Sequence, residues 1–98
     1  MEQTLDLELA LWGLGEVARL VDEYDQAREY HTQALTLSRQ LGYRLDEAEA
    51  LWGLGHVVSE TAGHSRACEL WRKAFDIYEE LGVPFAETVR TAIGQLDD

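Results

Sequence analysis

Three histidines and one cysteine are among the residues whose side chains could bind a metal ion or transfer protons. His64 and Cys68 lie four positions apart, so a helix would place both side chains on one face. A protein metal site needs three or four convergent ligands, and His31 and His56 do not form a second cluster with that spacing. The sequence therefore predicts no metal site.

Patterns for other kinds of catalysis are also missing. The sequence contains no glycine-rich phosphate loop, no nucleophile elbow and no pair of carboxylates with a supporting base. Its 19 acidic residues are spread along the chain, as on the solvated faces of helices. We therefore expect a protein that is not an enzyme and uses no cofactor.

The formal net charge is −11, from 19 acidic and 8 basic residues. Such a chain repels the phosphates of nucleic acids and anionic membranes, so we expect neither as a direct partner. A basic protein or peptide is favoured electrostatically, although the acidity alone also serves solubility.

No apolar run is long enough to span a bilayer, no signal peptide is evident, and one cysteine excludes an internal disulfide. These features predict a cytoplasmic protein.

The elements that position these residues follow from an internal repeat. Residues 10–49 align without a gap with residues 50–89, and the hexapeptide ALWGLG at 10–15 recurs at 50–55. A repeat of this length indicates a solenoid of stacked supersecondary units. No segment alternates with the period of two that is typical of a strand. The sequence thus predicts an all-α fold.

Apolar residues in each copy recur every three or four positions, which is typical of amphipathic helices. In the first helix the apolar stripe consists of Leu7, Leu11, Leu14, Ala18 and Val21. Gly42 and Gly82 suit the left-handed position just after a helix, and Ser65 is a candidate N-cap. The predicted helices are about 4–22, 25–41, 44–62, 65–81 and 84–96. Their short connections predict antiparallel neighbours.

The spacing of small residues connects this pattern with a known family. Gly15 is followed by Ala27 and Ala34, and the second copy places two alanines after its own glycine at the same two distances. The chain therefore resembles the tetratricopeptide repeat, in which small residues let paired helices approach closely. The signature positions are Leu14, Gly15, Ala27, Ala34, Leu54, Gly55, Ala67 and Ala74.

The resemblance implies an α-α superhelix in a single domain, residues 1–98. It would comprise two helix-turn-helix repeats, about 4–42 and 44–82, and a C-terminal capping helix, about 84–96. The repeats exceed the usual length of about 34 residues and lack the usual proline of the second helix. Long repeats with the segments YDQAR at 24–28 and LGYR at 41–44 are similar to those in C-terminal regions of large bacterial transcription regulators.

The resemblance also implies a concave groove lined by the first helix of each pair. The groove positions carried over to this sequence are Leu9, Trp12, Glu16, Arg19, Leu20, Glu49, Trp52, His56, Ser59 and Glu60. Trp12 and Trp52 would form an aromatic floor for a bound peptide or helix, since tryptophan is enriched in binding hot spots. The alternative is that each indole packs as ordinary core. The implied function is protein binding, as the sensor or scaffold part of a larger regulator.

Two further features concern packing. Gly13 and Gly53 lie inside predicted helices, where each costs about 1 kcal/mol relative to alanine, so we expect a close helix contact at both. The first helix has no predicted neighbour before it, which would leave an outer face with Leu5, Leu9 and Trp12 bare. Homodimerisation or helix exchange through that face is the alternative function.

Overall fold

The described part of the chain folds into helices joined by short turns. A computed structural model describes residues 2–97, without the side chains of residues 2–6, 8, 9 and 97. The helices are α1 (Glu2–Leu20), α2 (Tyr24–Leu41), α3 (Arg44–Thr61), α4 (His64–Leu81) and α5 (Phe85–Asp97). No strand occurs between residues 2 and 97, so the all-α prediction is confirmed. None of these helices has the length and apolar character needed to cross a membrane.

Glycines end two of the helices, as the sequence predicts. Gly42 after α2 and Gly82 after α4 have φ of 73° and 69°. This is the left-handed conformation, which costs glycine no steric strain. The start of α4 differs from the prediction. Gly63, with φ of 104°, precedes a helix that already begins at His64, so Ser65 lies inside the first turn and is not the N-cap. Glycine has no Cβ, so Gly63 can adopt this positive φ directly before the helix and allow the earlier start.

The helices pack in chain order, each on the next, and α1 also contacts α3. The helices α1, α3 and α5 therefore form one layer and α2 and α4 the other, which is the predicted superhelix of helix pairs. Ala27, Ala67 and Ala74 are fully buried where paired helices meet. Their small side chains permit the close approach expected at the signature positions.

Buried rings fill the space beside the glycines of the repeated hexapeptide. The His31 ring lies between Gly15 and Gly53, where added Cβ atoms would fall 2.7 Å from Nε2 and 2.5 Å from Cε1 of the ring. Trp71 occupies the equivalent position in the second copy, against Gly55. The expected close contact is thus present at Gly53. At Gly13 it is absent, because no described atom outside the local helix lies within 4 Å of an added Cβ.

The predicted apolar stripe of α1 divides into two parts. Leu11 and Ala18 are buried, whereas Leu7, Leu14 and Val21 are exposed. The cause is the number of neighbours: α3 lies between α2 and α4, while α1 packs mainly on α2 among the described helices. The predicted apolar stripe of α1 is therefore only partly buried in the described chain.

Candidate functional site

A groove of about 590 Å³ lies between α1, α3 and the start of α5. It is lined by Trp12, Glu16, Leu45, Glu49, Trp52, Tyr78, Val83 and Phe85. Helical spacing explains the contribution of α3, since Leu45, Glu49 and Trp52 are four and three positions apart and share one face. Trp12 and Glu16 are four positions apart and share one face of α1. The groove is thus a product of two helix faces that the repeat places side by side.

Trp12 links the two first helices across this groove. Its Nε1–H donates a hydrogen bond of 3.2 Å to the backbone carbonyl of Glu49. Its ring meets His31 edge-on, with the centroids 6.4 Å apart. The indole is partly buried, so it both fastens α1 to α3 and contributes aromatic surface to the groove.

Trp52 belongs to an aromatic cluster. Its ring centroid lies 4.9 Å from that of Trp71 and 5.4 Å from that of Phe85, the latter nearly perpendicular. Phe85 in turn meets Tyr78 edge-on at 5.3 Å. Trp71 donates its Nε1–H to the backbone carbonyl of Trp52 over 3.0 Å. Trp52 is therefore held rigidly by packing on one side while it lines the groove on the other.

Glu16 is the centre of a small polar network at the groove. Its Oε2 lies 3.0 Å from Nε2 of the buried His31, and its Oε1 lies 3.3 Å from Nη2 of Arg19. Arg19 also reaches Glu60 on α3, with Nη1 and Oε1 3.4 Å apart. The hydrogen bond from His31 is the main cause that lowers the pKa of Glu16, and Arg19 adds to it. Glu16 therefore stays ionised at neutral pH.

The pKa of Glu49 is shifted in the opposite direction to that of Glu16. Burial, and then the nearby carboxylate of Asp46, raise the pKa of Glu49 because both disfavour its charged form. No lysine or arginine belongs to the groove lining, and Arg19 is engaged by Glu16 and Glu60. A cation entering the groove would stabilise the charged form of Glu49.

The groove brings together four of the sequence-predicted site residues, namely Trp12, Glu16, Glu49 and Trp52. His56 packs instead on the rings of Trp52 and Trp71, at centroid distances of 4.4 Å and 5.0 Å. Burial is the main cause that lowers the pKa of His56. Ser59 donates its hydroxyl to the carbonyl of His56 over 2.7 Å.

The other predicted groove positions also fall outside the lining. Arg19 and Glu60 form the ion pair between α1 and α3 beside it. Leu20 is exposed at the end of α1. The side chain of Leu9, like that of Leu5 on the predicted outer face, lies outside the part of the chain that the structure describes.

Four lining residues were missed by sequence reasoning. Leu45 lies one turn before Glu49, so the spacing that selected Glu49 could also have found it. Phe85 begins α5, which occupies the position that the first helix of a third repeat would take. Tyr78 and Val83 come from α4 and the following turn, and the rule that first helices line the groove gives no signal for them.

Cys68 is buried and His64 is exposed, although both lie in α4 one turn apart. Among the described residues no group of three or more His, Cys, Asp and Glu side chains could hold a metal ion. What the groove does offer is aromatic surface beside two carboxylates.

Stacked helix pairs with small residues at their contacts define an α-helical repeat protein. A model of the tetratricopeptide-repeat family matches residues 6–80, so the chain belongs to that family. Tetratricopeptide repeats generally mediate protein–protein interaction and are typically non-catalytic. A search of curated proteins finds no match to this sequence.

Proposed function

We propose that this chain binds a peptide or helix of a partner protein in the groove between α1, α3 and α5. The ligand inserts an apolar side chain and presents a basic one. The observation that carries the proposal is the lining itself, in which Trp12, Trp52 and Phe85 border the carboxylates of Glu16 and Glu49 and which contains no lysine or arginine.

The aromatic part of the groove supports an apolar anchor. Its volume of about 590 Å³ is large enough for a few side chains. Ordinary ligand pockets have volumes in this range. Packing on Trp71 and Phe85 restricts the Trp52 ring, so a ligand would meet a surface that loses little side-chain entropy on binding. Rigid aromatic residues of this kind are frequent binding hot spots.

The acidic part of the groove supports a basic group on the ligand. Glu16 is ionised, whereas burial and the nearby carboxylate of Asp46 raise the pKa of Glu49. The groove lining contains no lysine or arginine that would compensate the charge of Glu49. The net charge of −11 steers cationic ligands toward the chain and away from anionic ones. A lysine or arginine near Glu49 would therefore gain a charge-assisted hydrogen bond.

The proposed setting of this interaction is a larger regulator. The support is the similarity of the long repeats, with their YDQAR and LGYR segments, to repeats of bacterial transcription regulators. In that setting the domain acts as a sensor or scaffold in the cytoplasm and catalyses no reaction.

A peptide selection tests the proposal. We expect displayed random peptides captured by the chain to be enriched in a large apolar residue close to a lysine or arginine. Leu45→Glu should weaken binding of a selected peptide by about tenfold or more, because it places a charge against the apolar part of the groove. Glu49→Gln should weaken lysine-containing peptides and leave their lysine-free analogues unaffected.

Leu81→Glu is the matched control for Leu45→Glu. Leu81 is 44% exposed against 43% for Leu45, and it lies at the end of α4, outside the groove lining. Equal binding by the wild type, the Leu45 variant and the Leu81 variant would exclude the groove as the binding site.

A further inference from the structure

A second pocket, of about 320 Å³, lies where α2, α3 and the first half of α4 meet. Its lining consists of Arg28, Thr32, Leu54, Val58, Ala62, Arg66, Glu69, Leu70 and Lys73. Helical spacing explains this set, since Arg28 and Thr32 are four positions apart on α2, as are Leu54 and Val58 on α3. No described residue lines both this pocket and the groove, so a ligand here would leave the proposed peptide site free.

The pocket collects basic side chains in a chain that is acidic as a whole. Three of the eight basic residues of the chain, Arg28, Arg66 and Lys73, belong to its lining. One carboxylate, that of Glu69, lies among them. Three positive charges and one negative charge leave the lining with an excess of two positive charges, whereas the whole chain has a net charge of −11. The pocket is therefore a local reversal of the overall charge.

The basic residues of the pocket also differ from others of the chain in their partners. Outside the pocket, ion pairs with glutamate are formed by Arg19, Arg39, Arg44 and Arg90. Arg28 donates a hydrogen bond of 3.2 Å to the neutral hydroxyl of Thr61. Arg66 and Lys73 form no ion pair with any residue that the structure describes. The positive charge of the pocket is thus available to a ligand.

The internal repeat shows that the fold does not require these cations. At the period of 40 residues, the equivalents of Arg66 and Lys73 are Gln26 and Gln33 on α2. The second helix of the first pair therefore forms with neutral amides at both positions. Packing of the repeat gives no reason for a guanidinium and an ammonium group at the same positions of α4, which favours a role in binding.

The floor of the pocket is apolar, which restricts the kind of anion that fits. Val58 is buried, and Leu54 and Leu70 are half-buried beneath the charged side chains. We propose that the pocket binds a phosphate monoester with a small apolar body. Such a phosphate carries a charge of about −1.5 to −2 at neutral pH, which matches the excess of two positive charges. Arginine binds phosphate through two parallel hydrogen bonds, and lysine adds a point charge.

Size and screening explain how an acidic chain can hold such an anion. At physiological ionic strength, interactions between exposed charges are screened beyond about 8 Å. A small anion among three cations therefore interacts mainly with those cations. A nucleic-acid strand would extend beyond the pocket over a chain with a net charge of −11, which repels its phosphates. The pocket accordingly favours small phosphate esters over long polyanions.

Calorimetric titration of the whole chain with phenyl phosphate tests the inference. We expect saturable binding with a dissociation constant of about 1 mM or lower, and no binding of phenol. Arg66→Gln and Lys73→Gln should each raise that constant by about tenfold, because each removes a charge-assisted hydrogen bond. Both variants introduce the residue of the first copy, so their circular dichroism should remain that of the wild type. Glu69→Gln should lower the constant, since it removes a repulsive charge.

Arg90→Gln is the matched control, because it makes the same change in net charge at an exposed position of α5 outside the pocket. It should leave the dissociation constant unchanged. A peptide that contains phosphotyrosine distinguishes two sources of the same group. Tighter binding of this peptide would assign the phosphate to a protein partner, and equal binding would assign it to a free ester.

Three results would overturn the inference. The first is the absence of saturable phenyl phosphate binding in the millimolar range. The second is equally tight binding of triglutamate, which would show that any cluster of negative charge suffices. The third is an equal effect of Arg90→Gln and Lys73→Gln, which would show a response to net charge alone. None of these results bears on peptide binding in the groove, since the two sites share no described residue.

Discussion

Gly53 of α3 lies directly against the imidazole of His31 on α2, so that an added Cβ would fall 2.5 Å from Cε1 of the ring. The same ring also meets Gly15 of α1. One buried side chain therefore sets the spacing between the two helices of the first pair and also between the first pair and the second. Two glycines are needed because each helix backbone must approach the ring closely.

The two equivalent glycines Gly13 and Gly53 should respond oppositely to alanine. Gly13→Ala gains helix propensity in open space and should stabilise the fold by about 0.5–1 kcal/mol. Gly53→Ala gains the same propensity but forces the His31 ring to move, and it should destabilise the fold by about 1–3 kcal/mol. Urea unfolding of both variants measures the difference, and a shift of the same sign in both would contradict the packing described for His31.

Glu16→Gln should reveal a pH-dependent contribution to stability. The pKa of Glu16 in the folded chain is below its ordinary value of 4.5, chiefly because of the hydrogen bond from His31. The carboxylate therefore stabilises the fold above pH 4.5, and that contribution is lost as pH falls through the lowered folded pKa. We expect the variant to be about 1 kcal/mol less stable at neutral pH.

The difference between wild type and the Glu16 variant should shrink as the pH is lowered to about 3. Urea unfolding across this range provides the measurement, with Glu29→Gln as a control at an exposed position. A difference that stays constant with pH would show that the ionised carboxylate is not what stabilises this site.

Trp71 and Gly55 should be energetically coupled. Trp71→Phe removes the hydrogen bond to the Trp52 carbonyl and leaves space beside Gly55, which should destabilise the fold by about 2 kcal/mol. Gly55→Ala alone should also destabilise it, because the added Cβ would overlap the indole. The double variant should be more stable than the sum of both effects predicts, by about 1 kcal/mol. A double-mutant cycle from urea unfolding measures this coupling, and strict additivity would contradict it.

The site was only partly predictable. Trp12, Glu16, Glu49 and Trp52 were placed in the groove by the positions that the repeat family uses, and the structure brings them together. Tyr78 lies on α4, the second helix of its pair, and still lines the same groove. Its position there depends on how α4 packs against α5 and on its contact with the Phe85 ring. A side chain that lines a groove formed by other helices does not belong to a periodic pattern in the sequence.

The helices and their order follow from the sequence alone. Apolar spacing and the glycines at positions 42 and 82 act over short stretches of chain, and a segment that occurs twice must build the same helix pair twice. Burial, in contrast, depends on which helix lies opposite. Val17 and Val57 are the same residue at the same repeat position, yet only Val57 is covered, because α2 packs on α3 and no described helix packs on that face of α1. The pattern within each copy is local, and only the stacking of the helices decides which of its apolar faces remain available to a partner.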